Sequence, residues 1–339
     1  MNMRFKIFLC VLSLCTGTTA RAANPMRLLV TNERGGDVSV IDTKSQKVIA
    51  TIPVGKRPRG IRVTPDGARA YVAVSGTPIS GPGDTTKPGA SDHGADGIAV
   101  IDLSKNKLIE TLPSGRDPEN LSLSPDATHV YISNEDASKA TILDVYAKKF
   151  ERVFSVGDEP EGVATSPDGQ YVLVTCETTN DVYVIDAKKE AVTGHFPTAG
   201  RPRGVAFLPD GSKAYVTCET GGAICVVDTS SFSVSRTIKP TGTNVRPMGI
   251  VISADGKYIY ATTGRGGGVV EIDARYDTIS HQVDHVGERP WGVCIAPDGN
   301  TLYTANGPGN DVSAIDLKTC QVVAHIPAGS SPWGIALAP

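Results

Sequence analysis

The chain has 339 residues, a net charge of −3, 36 glycines, 23 prolines and only 6% aromatic residues. That length is enough to bury a large core in one or two domains. The near-neutral balance, with no basic tract and no run of like charge, excludes nucleic-acid binding and polybasic attachment to a membrane.

At the N-terminus, Arg4 and Lys6 precede an apolar run from Ile7 to Leu14, and Ala20-Arg21-Ala22 supplies a small-residue site ahead of Ala23. This pattern predicts a cleaved signal peptide over residues 1–22 and an exported, periplasmic protein over 23–339. The run is shorter than the roughly 20 apolar residues of a transmembrane helix, and no later stretch approaches that length.

From there the chain repeats itself. MRLLVTNE at 26–33 reads as a strand, VSVID ending at Asp42 as a second and KVIATIPVG at 47–55 as a third. Arg57-Pro58-Arg59-Gly60 then opens a unit that recurs to the C-terminus. The x-Pro-x-Gly frame returns at Pro118 (with Asn120 in place of glycine), Pro160, Pro202, Pro247, Pro290 and Pro332, with spacings of 60, 42, 42, 45, 43 and 42 residues. An alternating run ending in aspartate recurs seven times as well, at Asp42, Asp102, Asp144, Asp186, Asp228, Asp273 and Asp316. Between the two lie Pro-Asp-Gly turns such as Pro65-Asp66-Gly67 and Pro167-Asp168-Gly169, followed by runs such as AYVAV, VYIS, AYVTC and LYTAN. Short β-branched and aromatic runs separated by such turns are hairpin strands.

Each unit therefore holds four strands in about 40 to 45 residues, the arithmetic of a β-propeller blade. The chain starts at a second strand and ends at a first strand, GIALAP, so the last strand is expected to complete the first blade and close the ring. The prediction is an all-β, seven-bladed propeller of four-stranded blades over residues 23–339. AYVAVSG, YISNE, AYVTCE and TLYTANG, each followed by a run of the V-x-V-I-D type and then x-Pro-x-Gly, resemble the YVTN-type propeller repeat over nearly the whole chain. The succession RPRG, DPEN, EPEG, RPRG, RPMG, RPWG, SPWG resembles a periplasmic group associated with catabolism of alcohols that depends on pyrroloquinoline quinone. That resemblance implies a role beside alcohol oxidation.

In such a blade the link into each inner strand lies on one face, so the third residue of x-Pro-x-Gly is expected at the channel rim. Read around the ring, the rim is Trp333, Arg59, Glu119, Glu161, Arg203, Met248 and Trp291. The only two tryptophans become neighbours across the closure and form an apolar arc with Met248. Glu119 and Glu161, flanked by Arg59 and Arg203, stand opposite. Loops between second and third strands repeat the bias, with Glu33, Glu135, Glu177 and Glu219 in four blades and Gly76, Gly264 and Gly307 near that point in the others. A mouth with an aromatic wall and a few convergent charges suits a small molecule or a protein tip. Rim tryptophans also pack on neighbouring blades, and Glu–Arg neighbours also complement each other, so a structural role stands beside the binding one.

Blade two carries 18 extra residues, which places a loop insertion at 76–96 on the same face as the rim. Its Gly, Pro, Thr and Asp content reads as a flap or docking loop. Asp92, His93 and Asp96 in it, and His281 with His285 on an outer strand, are ligand-type residues that solvation and exposed strand polarity explain better than a metal. The Pro-Asp-Gly and V-I-D aspartates suit turn hydrogen bonding. Five cysteines follow the leader, Cys176, Cys218, Cys225, Cys294 and Cys320, with no CxxC spacing and no adjacent pair. They read as core filler. Cys218 and Cys225 flank one short loop as candidate cross-strand neighbours, and a disulfide there depends on geometry.

Two functions follow. The first is a monomeric, exported, non-enzymatic binding or accessory propeller, without metal or cofactor, that meets a periplasmic protein or a small molecule at the rim. The alternative is a lactonase-like hydrolase or a dehydrogenase subunit that uses Glu119 and Glu161. A quinone-dependent alcohol dehydrogenase itself is disfavoured, because those propellers have eight blades, tryptophan-rich docking motifs and a vicinal disulfide.

Overall fold

The computed structural model describes residues 26–79 and 89–338. The predicted signal peptide and the middle of the blade-two insertion lie outside the described residues. Seven four-stranded antiparallel sheets are present, and their strand order is sequential within every blade from two to seven. Blade one is assembled from both ends of the chain: strands Arg27–Asn32, Asp37–Asp42 and Lys47–Pro53 receive Pro332–Ala338 as their inner strand. Leu29 pairs with Ala336 and Leu28 with Leu337 across this closure. The seven-bladed fold and its closing strand are as expected from the phase of the repeat.

The blades hold together through the faces they present to one another. Alternate residues of a strand point to opposite sides, so each blade contributes to two cores. In blade two, Ala70, Val72 and Val74 pack with Leu29, Val38 and Val40 of blade one. The intervening Tyr71 and Ala73 pack instead with Leu121, Val130 and Ile132 of blade three. Seven such clusters occur, one per blade junction. This explains why the second strand of each blade is buried along nearly its whole length, whereas the outermost strand, such as Lys149–Ser155, is largely exposed. Cys176, Cys218, Cys225 and Cys294 lie buried in these junction cores. The sulfurs of Cys218 and Cys225 are 3.6 Å apart, with no disulfide between them.

The rim is fixed by two repeat residues. The first is a hydroxyl on the second strand that donates to the carbonyl of the rim residue in the following blade: Thr31 to Arg59 (2.7 Å), Thr175 to Arg203 (2.7 Å) and Thr262 to Trp291 (3.0 Å). The second is the glycine of x-Pro-x-Gly. A Cβ at Gly162 would stand 2.0 Å from the carbonyl oxygen of Arg203, and one at Gly334 would stand 2.3 Å from that of Arg59. Inner strands this close around an axis leave no room for a side chain.

Thr31 also accepts a bond from the Gly334 amide at 2.8 Å, so one hydroxyl joins the two ends of the chain to blade two. Thr31→Val preserves the shape but orphans a buried carbonyl and amide. It is expected to cost about 1–3 kcal/mol, read as a lower urea midpoint with an unchanged slope.

Candidate functional site: the charged mouth of the channel

The first residue of six of the seven x-Pro-x-Gly frames takes an unusual backbone conformation; Arg246 is the exception. Arg57, Asp117, Glu159, Arg201, Arg289 and Ser331 all have φ between 44° and 60°, although a residue before proline ordinarily prefers extended backbone. Each such non-glycine residue costs of order 1–3 kcal/mol, and such strain clusters at functional sites. Here three of the six side chains, Arg57, Asp117 and Arg201, join the rim network.

Arg57 is the centre of one half of that network. Its Nη1 meets Asp117 at 2.8 Å, its Nη2 meets Glu119 at 3.0 Å and Glu135 at 3.8 Å, and its Nε lies 3.6 Å from Glu33. Arg59 bonds Glu33 at 2.8 Å and Glu119, and its Nη1 approaches Glu161 to 4.0 Å. In the other half, Arg203 binds Glu161, Glu177 and, at 2.9 Å, Glu219. Arg201 closes this half against Glu177 and Glu219. The hydrogen bonds of Arg59 and Arg203 among the described residues run through Nε and Nη1 and not through Nη2.

Seven carboxyl groups (Glu33, Asp117, Glu119, Glu135, Glu161, Glu177 and Glu219) thus share four guanidinium groups. The excess of acid sets their protonation. Burial opposes ionisation of Glu161, but Arg203 and Arg59 outweigh it and hold the carboxyl at about 2. Burial and the charge of Glu161 push Glu177 up to about 9. The same two causes raise Glu135 to about 7, against the pull of Arg59 and Arg57. Carboxyl groups whose environments drive their pKa values apart are the pattern of acid–base sites.

The tryptophans lie where the repeat places them. The rings of Trp291 and Trp333 meet edge to face with centroids 5.7 Å apart, Arg59 lies over Trp333 at 5.5 Å, and Arg289 lies over Trp291 at 4.8 Å. Below them a cavity of about 100 Å³ runs down the axis, lined by Glu161, Arg203, Met248, Trp291 and Trp333 among the inner-strand glycines. The indole nitrogen of Trp291 is buried without an acceptor among the described residues.

Five of the seven predicted rim residues therefore line one cavity. Arg59 sits beside it over Trp333. Glu119 is fully buried and clamped by Arg57 and Arg59, so it serves the ion-pair network and not the cavity wall. Glu135, named in the sequence only as a loop residue, keeps its side chain 22% exposed at the mouth. Arg57, Asp117 and Arg201 went unassigned, although the signal was present: six of the seven residues that begin the x-Pro-x-Gly frames are charged.

The ligand-type residues of the insertion do not converge. Asp92 pairs with Lys56 at 2.7 Å, whereas Asp96 binds His93 and accepts from the Gly76 amide. His281 is tied to Glu271. Asp117, Glu119 and Glu135 lie close enough together to hold a cation, but the Arg57 guanidinium already fills that place. The turn aspartates behave as expected; Asp66 and Asp168, for example, each accept the backbone amide two residues on. Alongside the mouth, the described ends of the insertion and blade one enclose a cavity of about 550 Å³ that Glu33 and Arg57 also line.

The molecule is thus a seven-bladed propeller with a small, polarised axial site. The chain belongs to the choice-of-anchor I domain family, whose model matches residues 15–201. The model of the seven-bladed β-propeller lactonases matches residues 157–320. No curated protein matches the sequence. Among solved structures, a periplasmic gluconolactonase from Pseudomonas aeruginosa is 19% identical, with a TM-score of 0.74 over 93% of this chain and 99% of that one. A protein of unknown function from Desulfotomaculum acetoxidans is 18% identical, with a TM-score of 0.76 over 92% and 98%. Hydrazine synthase from Kuenenia stuttgartiensis is 20% identical, with a TM-score of 0.69 over 82% and 88%. Such different proteins on one scaffold establish the fold, while function resides in the site. No helix among the described residues is long and apolar enough to cross a membrane.

Proposed function

We propose that the protein is an exported hydrolase of the lactonase type, with its site at the mouth of the channel. The observation that carries this reading is Glu135, a half-buried carboxyl at the mouth raised to about 7 and facing bound guanidinium groups. A general base works best with a pKa near the operating pH. In this reading Glu135 takes a proton from a water as its oxygen attacks the lactone carbonyl. The Nη2 of Arg59 or Arg203 stabilises the charge that develops on the carbonyl oxygen. The ring C–O bond then breaks, and Glu135 returns the proton to the departing alkoxide. Trp291 and Trp333 hold the apolar faces of the ring. The lactonase match over residues 157–320, which includes Arg203 and Trp291 but not Glu135, Arg59 or Trp333, supports the hydrolase class.

Cofactor-free turnover of D-glucono-δ-lactone and simpler δ-lactones, followed in a pH-stat with the purified mature protein, tests it. Trp291→Ala and Trp333→Ala are each expected to raise KM about 10-fold, the equivalent of one aromatic contact, with smaller changes in kcat. Absence of turnover across the panel would sink the hydrolase.

One observation favours the accessory role suggested by the repeat resemblance, beside quinone-dependent alcohol catabolism: Arg57 and Arg203 are each held by three or more carboxylates, as in a purely structural network. That role predicts an inert protein recovered in cross-links with a periplasmic partner. Export itself is tested by the N-terminal sequence of the mature protein, expected to begin at Ala23.

A further inference from the structure

On the face opposite the mouth, blade three departs twice from its sister blades, and the two departures meet. The V-I-D aspartate of every blade ends the third strand and faces the residue that starts the second. These facing residues are Arg27, Arg69, His129, Tyr171, Lys213, Tyr258 and Thr301. Histidine occurs there in blade three alone. Every blade also carries a bulge in its outermost strand just beyond that aspartate. The bulged residues are Ile49, Ile109, Glu151, Thr193, Ser235, Ser280 and Val323. A carboxylate occurs there in blade three alone.

The geometry points to a divalent zinc site formed by His129, Asp144 and Glu151. Their three ligand atoms lie within 4.8 Å of one another. His129 Nε2 stands 3.1 Å from Glu151 Oε2, close to the about 3.4 Å edge of a tetrahedron with bonds near 2.1 Å. The imidazole is already oriented. Its Nδ1 is 2.7 Å from the Thr128 hydroxyl, so Nε2, which pairs with Glu151, is the nitrogen turned toward the carboxylates, as in built sites where the second ring nitrogen is anchored. Asp144 uses Oδ1 for the turn amides of Tyr146 and Ala147, which leaves Oδ2. One imidazole and two carboxylates suit zinc over calcium or magnesium, which favour all-oxygen shells. The side chains of His129 and Glu151 are 31% and 36% exposed, so water can complete the coordination.

In two other blades the same aspartate meets a cation of the protein: Lys105 binds Asp102 at 3.0 Å, and Lys189 binds Asp186 at 2.9 Å. In blade three an external cation takes that part. Bridging the three strands would fasten the outer edge of the blade, and the site is independent of any chemistry at the mouth.

Zinc titrated into the metal-free mature protein, in competition with a chromophoric chelator, is expected to bind at one equivalent and raise the melting temperature. Calcium is expected to do neither. His129→Ala and Glu151→Gln should each weaken zinc binding about 10-fold or more, whereas His281→Ala in blade six should leave it unchanged. All three positions are exposed enough for the variants to keep the wild-type circular dichroism spectrum. No zinc uptake by the wild type, or an unchanged affinity in both His129→Ala and Glu151→Gln, would overturn the site.

Discussion

Glu135→Gln is expected to lower kcat for lactone hydrolysis about 100-fold or more, the usual contribution of a positioned general base. The substitution keeps size and polarity and removes only the ability to accept a proton. Because the Glu135 carboxyl is raised to about 7, the wild-type rate should climb with pH through about 7 and then level off, as the base loses its proton. The residual rate of the variant should lack that limb. A second variant separates this role from simple loss of charge. Glu161→Gln removes the neighbouring negative charge that helps to raise Glu135, so it should move the limb to lower pH. Wild-type kcat in Glu135→Gln, with the limb intact, would place the base elsewhere.

The fold and the order of the rim were legible because both follow from local, repeated signals. Turn aspartates, alternation and x-Pro-x-Gly each act within a few residues, and seven copies fix the phase of a ring. The neighbourhood of Trp291 and Trp333 followed from the count alone. What stayed hidden was depth. Glu119 and Glu135 differ by 16 positions in one blade, and only packing shows that the first is sealed beneath two arginines while the second remains at the mouth. The positive φ of Arg57 and Asp117 was hidden too, since proline after them argues for extended backbone. The blade-three cluster needs the bulge register, which alternation cannot supply, because the bulge puts Glu151 out of step with Arg152 and Phe150.

The largest effect on stability should come from Arg57→Met, at a cost of about 3–5 kcal/mol. Arg57 is 9% exposed and lies among Glu33, Asp117 and Glu119, all at least as buried. Methionine fills much of the same volume, so the cost lies in the charges left behind. Asp117 would keep only the Ser75 hydroxyl, and Glu119 only Arg59. Lys56→Met, one residue earlier, provides the comparison. Its ammonium meets Asp92 at 2.7 Å with both side chains more than half exposed, so its loss should cost less than about 1 kcal/mol. Combining Arg57→Met with Glu119→Gln should recover part of the loss, with a coupling of about 0.5–3 kcal/mol in denaturant midpoints. An Arg57→Met cost no greater than that of Lys56→Met would mean that the network is not what holds this face together. The same variant links stability to chemistry. Arg57 pulls the pKa of Glu135 down, so its removal should carry the rate limb above 7 at the same time as it weakens the fold.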